Sequence, residues 1–167
     1  MKEQTTIYLD TSVINFLFAD DAPDKKQDTI EFFENFIKTG VYNCFISDYV
    51  VSEIEDTREI EKRDKLLKVI SDYGLGFLEL PEGPEIDNLA LEYVNRGIIP
   101  AKNLTDAYHI AICVICKINY LVSWNYKHMA NVNKEKSVNV LNFENNYNKG
   151  IRIVTPLELM DYGSENI

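Results

Sequence analysis

Two aspartates far apart in the chain stand where carboxylates are costly. Asp10 closes the apolar run Ile7-Tyr8-Leu9, with Thr11 and Ser12 directly behind it. Asp106 opens the apolar stretch Leu104-Thr105-Asp106-Ala107-Tyr108-His109-Ile110-Ala111. An ionised carboxylate at the end of a buried element is unfavourable unless a cation or hydrogen-bond donors meet it. Two of them at element boundaries suggest a shared guest, and oxygen ligands suit a divalent metal. Glu53, in Val51-Ser52-Glu53-Ile54, and Asn125, in Ser123-Trp124-Asn125, add two more oxygen-bearing side chains. Such a set fits Mg²⁺ or Mn²⁺, which bind few carboxylates and keep several waters. An ion held there would polarise a phosphodiester oxygen and activate a water, so no covalent nucleophile is required.

Each residue also has a plainer reading. Asp10 is a good helix cap, and Asp106 is a first-turn carboxylate that the helix dipole favours, which is compatible with a metal role. Glu53 sits among Asp48, Glu55, Asp56 and Glu59, as on a solvated face. Helical spacing nevertheless turns Val50, Val51 and Ile54 inward and leaves Glu53 at the edge of the buried stripe. Thr11 and Ser12 either donate to the substrate phosphate and the metal's surroundings or satisfy the backbone of the strand-to-helix turn. Trp124, Tyr126, Lys127 and His128 form a compact aromatic-plus-basic cluster. Trp124 and Lys127 would then stack bases and hold phosphates of single-stranded RNA; in the alternative, Trp124 roofs the core. His109, Cys113 and Cys116 fall on one helical face and raise the question of zinc. The helix is apolar all round, so core packing is the better reading.

The elements that must position these groups alternate. Ile7–Leu9 reads as a strand, Asp24–Lys38 as a helix preceded by Pro23 and stopped by Gly40, and Tyr42–Ile46 as a second strand. A helix capped by Ser47 or Asp48 runs through Glu55, and a charged helix spans Glu59–Asp72, ended by Gly74. Phe77–Leu80 reads as a third strand, Glu85–Arg96 as a helix, and Gly97–Pro100 as a loop. Thr105 caps a helix over Asp106–Lys117; Tyr120–Ser123 and Ile151–Val154 are the last strands, before a helix from Pro156. Alternating strands and helices imply an α/β fold, a three-layer α/β/α sandwich with a mostly parallel sheet of four to five strands. Sites in such sheets form at the carboxyl ends of the strands, where Asp10 and Asn125 both fall.

Composition narrows the class further. The 167 residues, 46% hydrophobic and 26% charged, read as one globular domain over 1–167. A net charge of −10 argues against a protein that coats nucleic acid indiscriminately. It leaves room for an enzyme that holds a phosphodiester through a metal and a local basic strip. Three cysteines and no signal-peptide pattern point to the reducing cytoplasm. The most apolar stretch, Ala107–Ile118, is too short to cross a bilayer.

Four pieces now carry a resemblance: Tyr8-Leu9-Asp10-Thr11-Ser12, Ile46-Ser47 through Val51-Ser52-Glu53-Ile54, Thr105-Asp106-Ala107-Tyr108-His109-Ile110-Ala111, and Leu121-Val122-Ser123-Trp124-Asn125. In this order the chain resembles the PIN-domain nucleases and, within them, the VapC-like toxins of bacterial toxin–antitoxin pairs. The resemblance implies an α/β/α domain and a Mg²⁺- or Mn²⁺-dependent endoribonuclease, with Asp10, Glu53 and Asp106 as the acidic site. It also implies a homodimer and an antitoxin partner. Asn125 departs from it, because the family often has a fourth aspartate there. A rival reading is therefore a PIN-like module with a weakened site that binds RNA or a partner protein without cutting.

Overall fold

The structure, a computed structural model, describes residues 4–164; of the 1–167 span, the outermost three residues at each end lie outside the described residues. Five parallel strands form one sheet in the order β3-β2-β1-β4-β5, with helices on both faces. These are β1 (Thr6–Leu9), β2 (Asn43–Ile46), β3 (Gly76–Phe77), β4 (Tyr120–Val122) and β5 (Arg152–Val154). The strands are short and mostly apolar because a parallel sheet is covered on both sides, so alternation of polar and apolar residues is not required. Ile7, Tyr8 and Leu9 of β1 are fully buried, paired with Tyr120, Leu121 and Val122 of β4 on one side.

The chain builds β1, β2 and β3 in one direction and then returns to add β4 and β5 on the other side of β1. The order therefore reverses between β1 and β4. In an open parallel sheet the connections leave to opposite faces at such a point and open a crevice beyond the strand ends. Asp10 follows β1 and Asn125 follows β4, and the backbone N–H of Asp10 closes the seam on the carbonyl of Val122 at 3.1 Å.

The helices are α1 (Thr11–Phe16), α2 (Pro23–Phe32), α3 (Asp48–Glu55), α4 (Ile60–Asp72), α5 (Glu85–Asn95), α6 (Leu104–Ile115), α7 (Val132–Glu144) and α8 (Pro156–Ser164). Pro23 opens α2, as its fixed φ suits the first helical turn. The helix then widens into a π-helical turn over Phe33–Ile37, and Gly40 (φ +74°) turns the chain toward β2. Phe32, Phe33 and Phe36 of this segment are buried, and the Phe32 ring packs against each of the other two at a centroid distance of 6.2 Å.

Two local expectations change, and one helix stands where the sequence signals none. The third strand is only Gly76–Phe77. It is an edge strand, and a side chain at Gly76 would meet the Phe45 ring at 2.9 Å, which explains the glycine. Thr105 does not cap α6: a 3₁₀ turn over Ala101–Asn103 leads directly into a helix that begins at Leu104 and ends at Ile115, with Lys117 in the left-handed region at φ 56°. Helix α7 lacks a sequence signature because its apolar residues do not lie on one stripe. Val138 and Leu141 are buried, whereas Val132, Val140 and Phe143 are 80%, 52% and 53% exposed. Asn131 starts it by accepting from the Lys134 N–H at 2.9 Å. Among the described residues, no helix is long and apolar enough to cross a membrane.

Candidate functional site

Asp10, Thr11, Ser12, Asn15, Glu53, Asp106, His109 and Asn125 line one cavity of about 280 Å³ at the reversal point of the sheet. The cavity takes Asp10 to Asn15 from β1 and α1, Glu53 from α3, Asp106 and His109 from α6, and Asn125 from the loop after β4. Six of the eight residues expected at the site are here. Of the other two, Trp124 is 3% exposed, donates its indole N–H to Thr29 Oγ1 at 2.9 Å and packs against Phe16. Its ring roofs the core and is closed to a stacking base. Lys127 is exposed and does not line the cavity.

Asp10 is both cap and site residue. It caps α1 by accepting from the Val13 N–H at 3.3 Å, and it is only 4% exposed. Its other partners are two serine hydroxyls, each donating at 2.5 Å: Ser12 to Oδ1 and Ser123 to Oδ2. Both serines are aimed by backbone. The Trp124 N–H donates to Ser12 Oγ and the Asn125 N–H to Ser123 Oγ, each at 2.9 Å, so each hydroxyl hydrogen is left to face the carboxylate. Burial pushes the Asp10 carboxyl above its ordinary range against the pull of His109 and of these donors. Ser123 lies outside the set expected from sequence; its place at the end of β4, two residues before Asn125, is the signal that marks it.

Asp106 stands in the first turn of α6 and accepts from Asn125 Nδ2 at 3.1 Å. Burial, and after it the like charges of Asp10 and Glu53, push its carboxyl to about 6 against the pull of His109 and Asn103. The amide of Asn125 has a forced orientation. Its Oδ1 accepts from the His128 backbone N–H at 3.1 Å, so the NH₂ group is the one that faces Asp106. The sequence expectation is an oxygen offered to the site; as placed, Asn125 offers N–H donors.

Glu53 accepts from the Thr11 hydroxyl and lies 2.8 Å from His109 Nε2, both at its Oε2 atom. Burial would push Glu53 up, but the hydrogen bonds from His109 and Thr11 hold it below the usual range. His109 does more than the core filling expected of it. It is 1% exposed, yet both ring nitrogens are engaged, Nδ1 with the Tyr8 hydroxyl at 2.8 Å and Nε2 with Glu53. Cys113, one turn further on, is a buried thiol that burial pushes far up, and Cys116 is half-buried.

The cavity lining holds three carboxylates and, among the described residues, no lysine or arginine. In kind this donor set fits a hard divalent cation. No group of three acidic, imidazole or thiol side chains among the described residues stands close enough to hold one ion as arranged. An ion there would have fewer than three of these side chains within reach as arranged, so waters or substrate oxygens would have to complete its shell. Cations lie nearby: Lys127, Lys102 and Lys134 add their repulsion to burial in lowering the proton affinity of His128, whose backbone holds Asn125.

The sequence matches no protein-family model and no curated protein. The fold does have solved counterparts. A chain in the crystal structure of VapBC2 from Rickettsia felis, bound to a DNA fragment from their promoter, superposes with a TM-score of 0.50 over 90% of this chain and 98% of that chain. The two are 14% identical, so the likeness is one of fold. It is the PIN-like α/β/α fold that the sequence resemblance implied.

Proposed function

We propose, with that PIN-like fold as the premise, that this protein is a metal-dependent endoribonuclease of the VapC-like toxin type. The observation that carries the reading is the cavity at the sheet's reversal point. It gathers Asp10, Glu53 and Asp106 without a lysine or arginine among its described lining, and burial, with the repulsion of the other two carboxylates behind it, holds Asp106 at about 6. Such an arrangement is unfavourable when empty and favourable around a cation.

Asp10 and Asp106 would hold Mg²⁺ or Mn²⁺, with Glu53 beside them; the ion supplies polarisation of the phosphodiester and of the attacking water. The two serines keep the Asp10 carboxylate in one orientation, as partners of metal ligands commonly do. Asn125 does the same for Asp106 from its anchored amide. Glu53, held below the usual carboxylate range, is ionised at neutral pH and accepts the proton of the attacking water. Lys102, Lys127 and Lys134, beside His128 next to Asn125, supply the local positive charge that draws an RNA strand to a protein of net charge −10.

A second reading is favoured by one observation. Position 125 presents N–H donors where the related pattern has a carboxylate, so the module binds RNA or a partner protein without cutting. One assay separates the two: incubation of single-stranded RNA with the purified protein in Mn²⁺, in chelator, and with Asp10→Asn. Cleavage that needs both the metal and Asp10 supports the nuclease. Binding of the RNA without cleavage supports the module. Under the toxin reading the chain forms a homodimer and is blocked by an antitoxin, which the adjacent gene would encode.

A further inference from the structure

A chain of hydrogen bonds runs beneath the cavity and ends on Glu53. Ser47 Oγ lies 2.6 Å from the Tyr8 hydroxyl, and that hydroxyl lies 2.8 Å from His109 Nδ1. His109 Nε2 lies 2.8 Å from Glu53 Oε2. The four residues come from the start of α3, from β1, from α6 and from α3 again, so the chain joins three elements that meet under the site. Ser47 and Tyr8 are fully buried and His109 is 1% exposed, so the donors and acceptors must be matched within the chain.

For a neutral imidazole the matching has one direction. An ionised carboxylate only accepts, so the hydrogen between His109 and Glu53 sits on Nε2. In a neutral ring Nδ1 is then a lone pair, which the Tyr8 hydroxyl satisfies by donating, and the Tyr8 oxygen in turn accepts from Ser47. Thr11 donates to the same Oε2 of Glu53. Two donors therefore grip one carboxylate oxygen, while Oε1 has no protein donor among the described residues. The Glu53 side chain is 34% exposed against 2% for His109. An imidazole serving only to fill space would gain nothing from these bonds, and an apolar residue would avoid the cost of burying two ring nitrogens.

We propose that His109 is a positioning residue: Tyr8, backed by Ser47, satisfies its Nδ1 and leaves the Nε2–H to Glu53, and it pins Glu53 Oε2 so that Oε1 faces the cavity as the proton-accepting atom. The kinetic part rests on the hydrolytic reading above; the tautomer and the grip on Oε2 do not. Orientation of a proton acceptor changes the rate of the chemical step more than substrate binding, since a misdirected base still leaves the substrate site intact.

The test has two arms. In the first, metal-free protein with ¹⁵N-labelled histidine is studied by imidazole NMR at neutral pH. The expected result is an Nε2–H, Nδ1-unprotonated His109 in the wild type, and in Tyr8→Phe, which keeps the ring, a shifted Nδ1 resonance from loss of its donor while Glu53 retains the Nε2–H. An Nδ1–H or doubly protonated ring in the wild type would overturn the proposal, as would an Nδ1 resonance indifferent to Tyr8→Phe. In the second arm, His109→Leu is expected to lower kcat by about tenfold or more with KM changed less than about twofold. His109→Gln, which can place an amide donor near the Nε2 position, is expected to recover part of that loss. A folded Leu variant with unchanged kcat, or a Gln variant no better than Leu, would also overturn it. If the wild type cuts no RNA in any metal, the hydrolytic reading fails, and the NMR arm still decides whether His109 is held as described.

Discussion

Replacing Asp106 by asparagine removes one of three carboxylates from the cavity while keeping the shape and the oxygen that accepts from Asn125. In the folded protein this carboxyl lies at about 6 against an ordinary value of 3.8. A tenfold change in proton affinity corresponds to about 1.4 kcal/mol, so the upper bound on the cost of ionising it is ~3 kcal/mol. Asp106 is partly exposed, and solvent screening brings the expected gain to about 1–2 kcal/mol. The folded-state value is raised, so the wild-type carboxyl favours folding while protonated, and that advantage is lost as pH climbs from about 4 through 6. The variant has no such loss. In chelator, Asp106→Asn should therefore melt with wild type at pH 4 and about 2–8 °C above it at pH 7.5. Metal should reverse the order. A hundredfold excess of Mn²⁺ over its dissociation constant adds ~2.7 kcal/mol to a protein that binds it only when folded, and the variant should gain less. Thermal melts and urea titrations at both pH values, with and without Mn²⁺, read these differences. A gap of equal size at pH 4 and 7.5, or an identical response to Mn²⁺, would refute the idea of a shared site.

Asn125→Asp should lower metal-free stability at neutral pH, because its carboxylate would face Asp106 Oδ2 where an N–H now stands 3.1 Å away; calorimetry should show tighter Mn²⁺ binding, and no change in either quantity would detach position 125 from the site. Ser123→Ala removes the fully buried donor to Asp10 and should cost about 1–3 kcal/mol in denaturant unfolding at pH 7, with less lost at pH 4 where Asp10 is closer to neutral. Trp124→Phe should lose about 1 kcal/mol through the missing Thr29 bond while RNA affinity of the Asp10→Asn protein stays unchanged, since the ring is closed to solvent. A fall in RNA affinity in that variant would return Trp124 to the binding surface.

Much of this arrangement is legible in the sequence because the informative residues break a local pattern. Asp10 and Asp106 are acids at the boundaries of apolar runs, and alternating elements place strand ends together, so the cavity's carboxylates can be anticipated from order alone. Asn125 is placed correctly that way but its orientation is not, because that depends on the His128 N–H, a backbone group in an irregular loop. His109 is hidden for a different reason. It sits in a helix that is apolar all round, and only the packing of β1 and α3 beneath α6 brings Tyr8 and Glu53 to its two nitrogens. Ser123 is marked only by its place just past the fourth strand, two residues before Asn125, since its role exists only once β4 lies beside β1. Helix α7 carries no readable stripe, and Thr105 has the right residue type for a cap but lies inside a turn already begun by Ala101–Asn103.

The bond from Ser123 to Asp10 joins residues 113 positions apart, and β1 cannot pair with β4 before residues 120–122 exist. During synthesis at roughly 5–20 residues per second, Asp10 therefore waits about 6–23 s for the partner that orients it. Until then β2 is the one sheet neighbour of β1 that has been made, and the emerging chain lacks Asp106 and Asn125 for much of that time. Ribosome-bound chains stalled before and after residue 125 should show this as an abrupt gain of protease resistance around Asp10 once the later stretch has emerged. For a chain proposed to cut RNA, the sheet's order acts as a timer: the acidic cavity is assembled from early and late parts of the message, and a partial product lacks it.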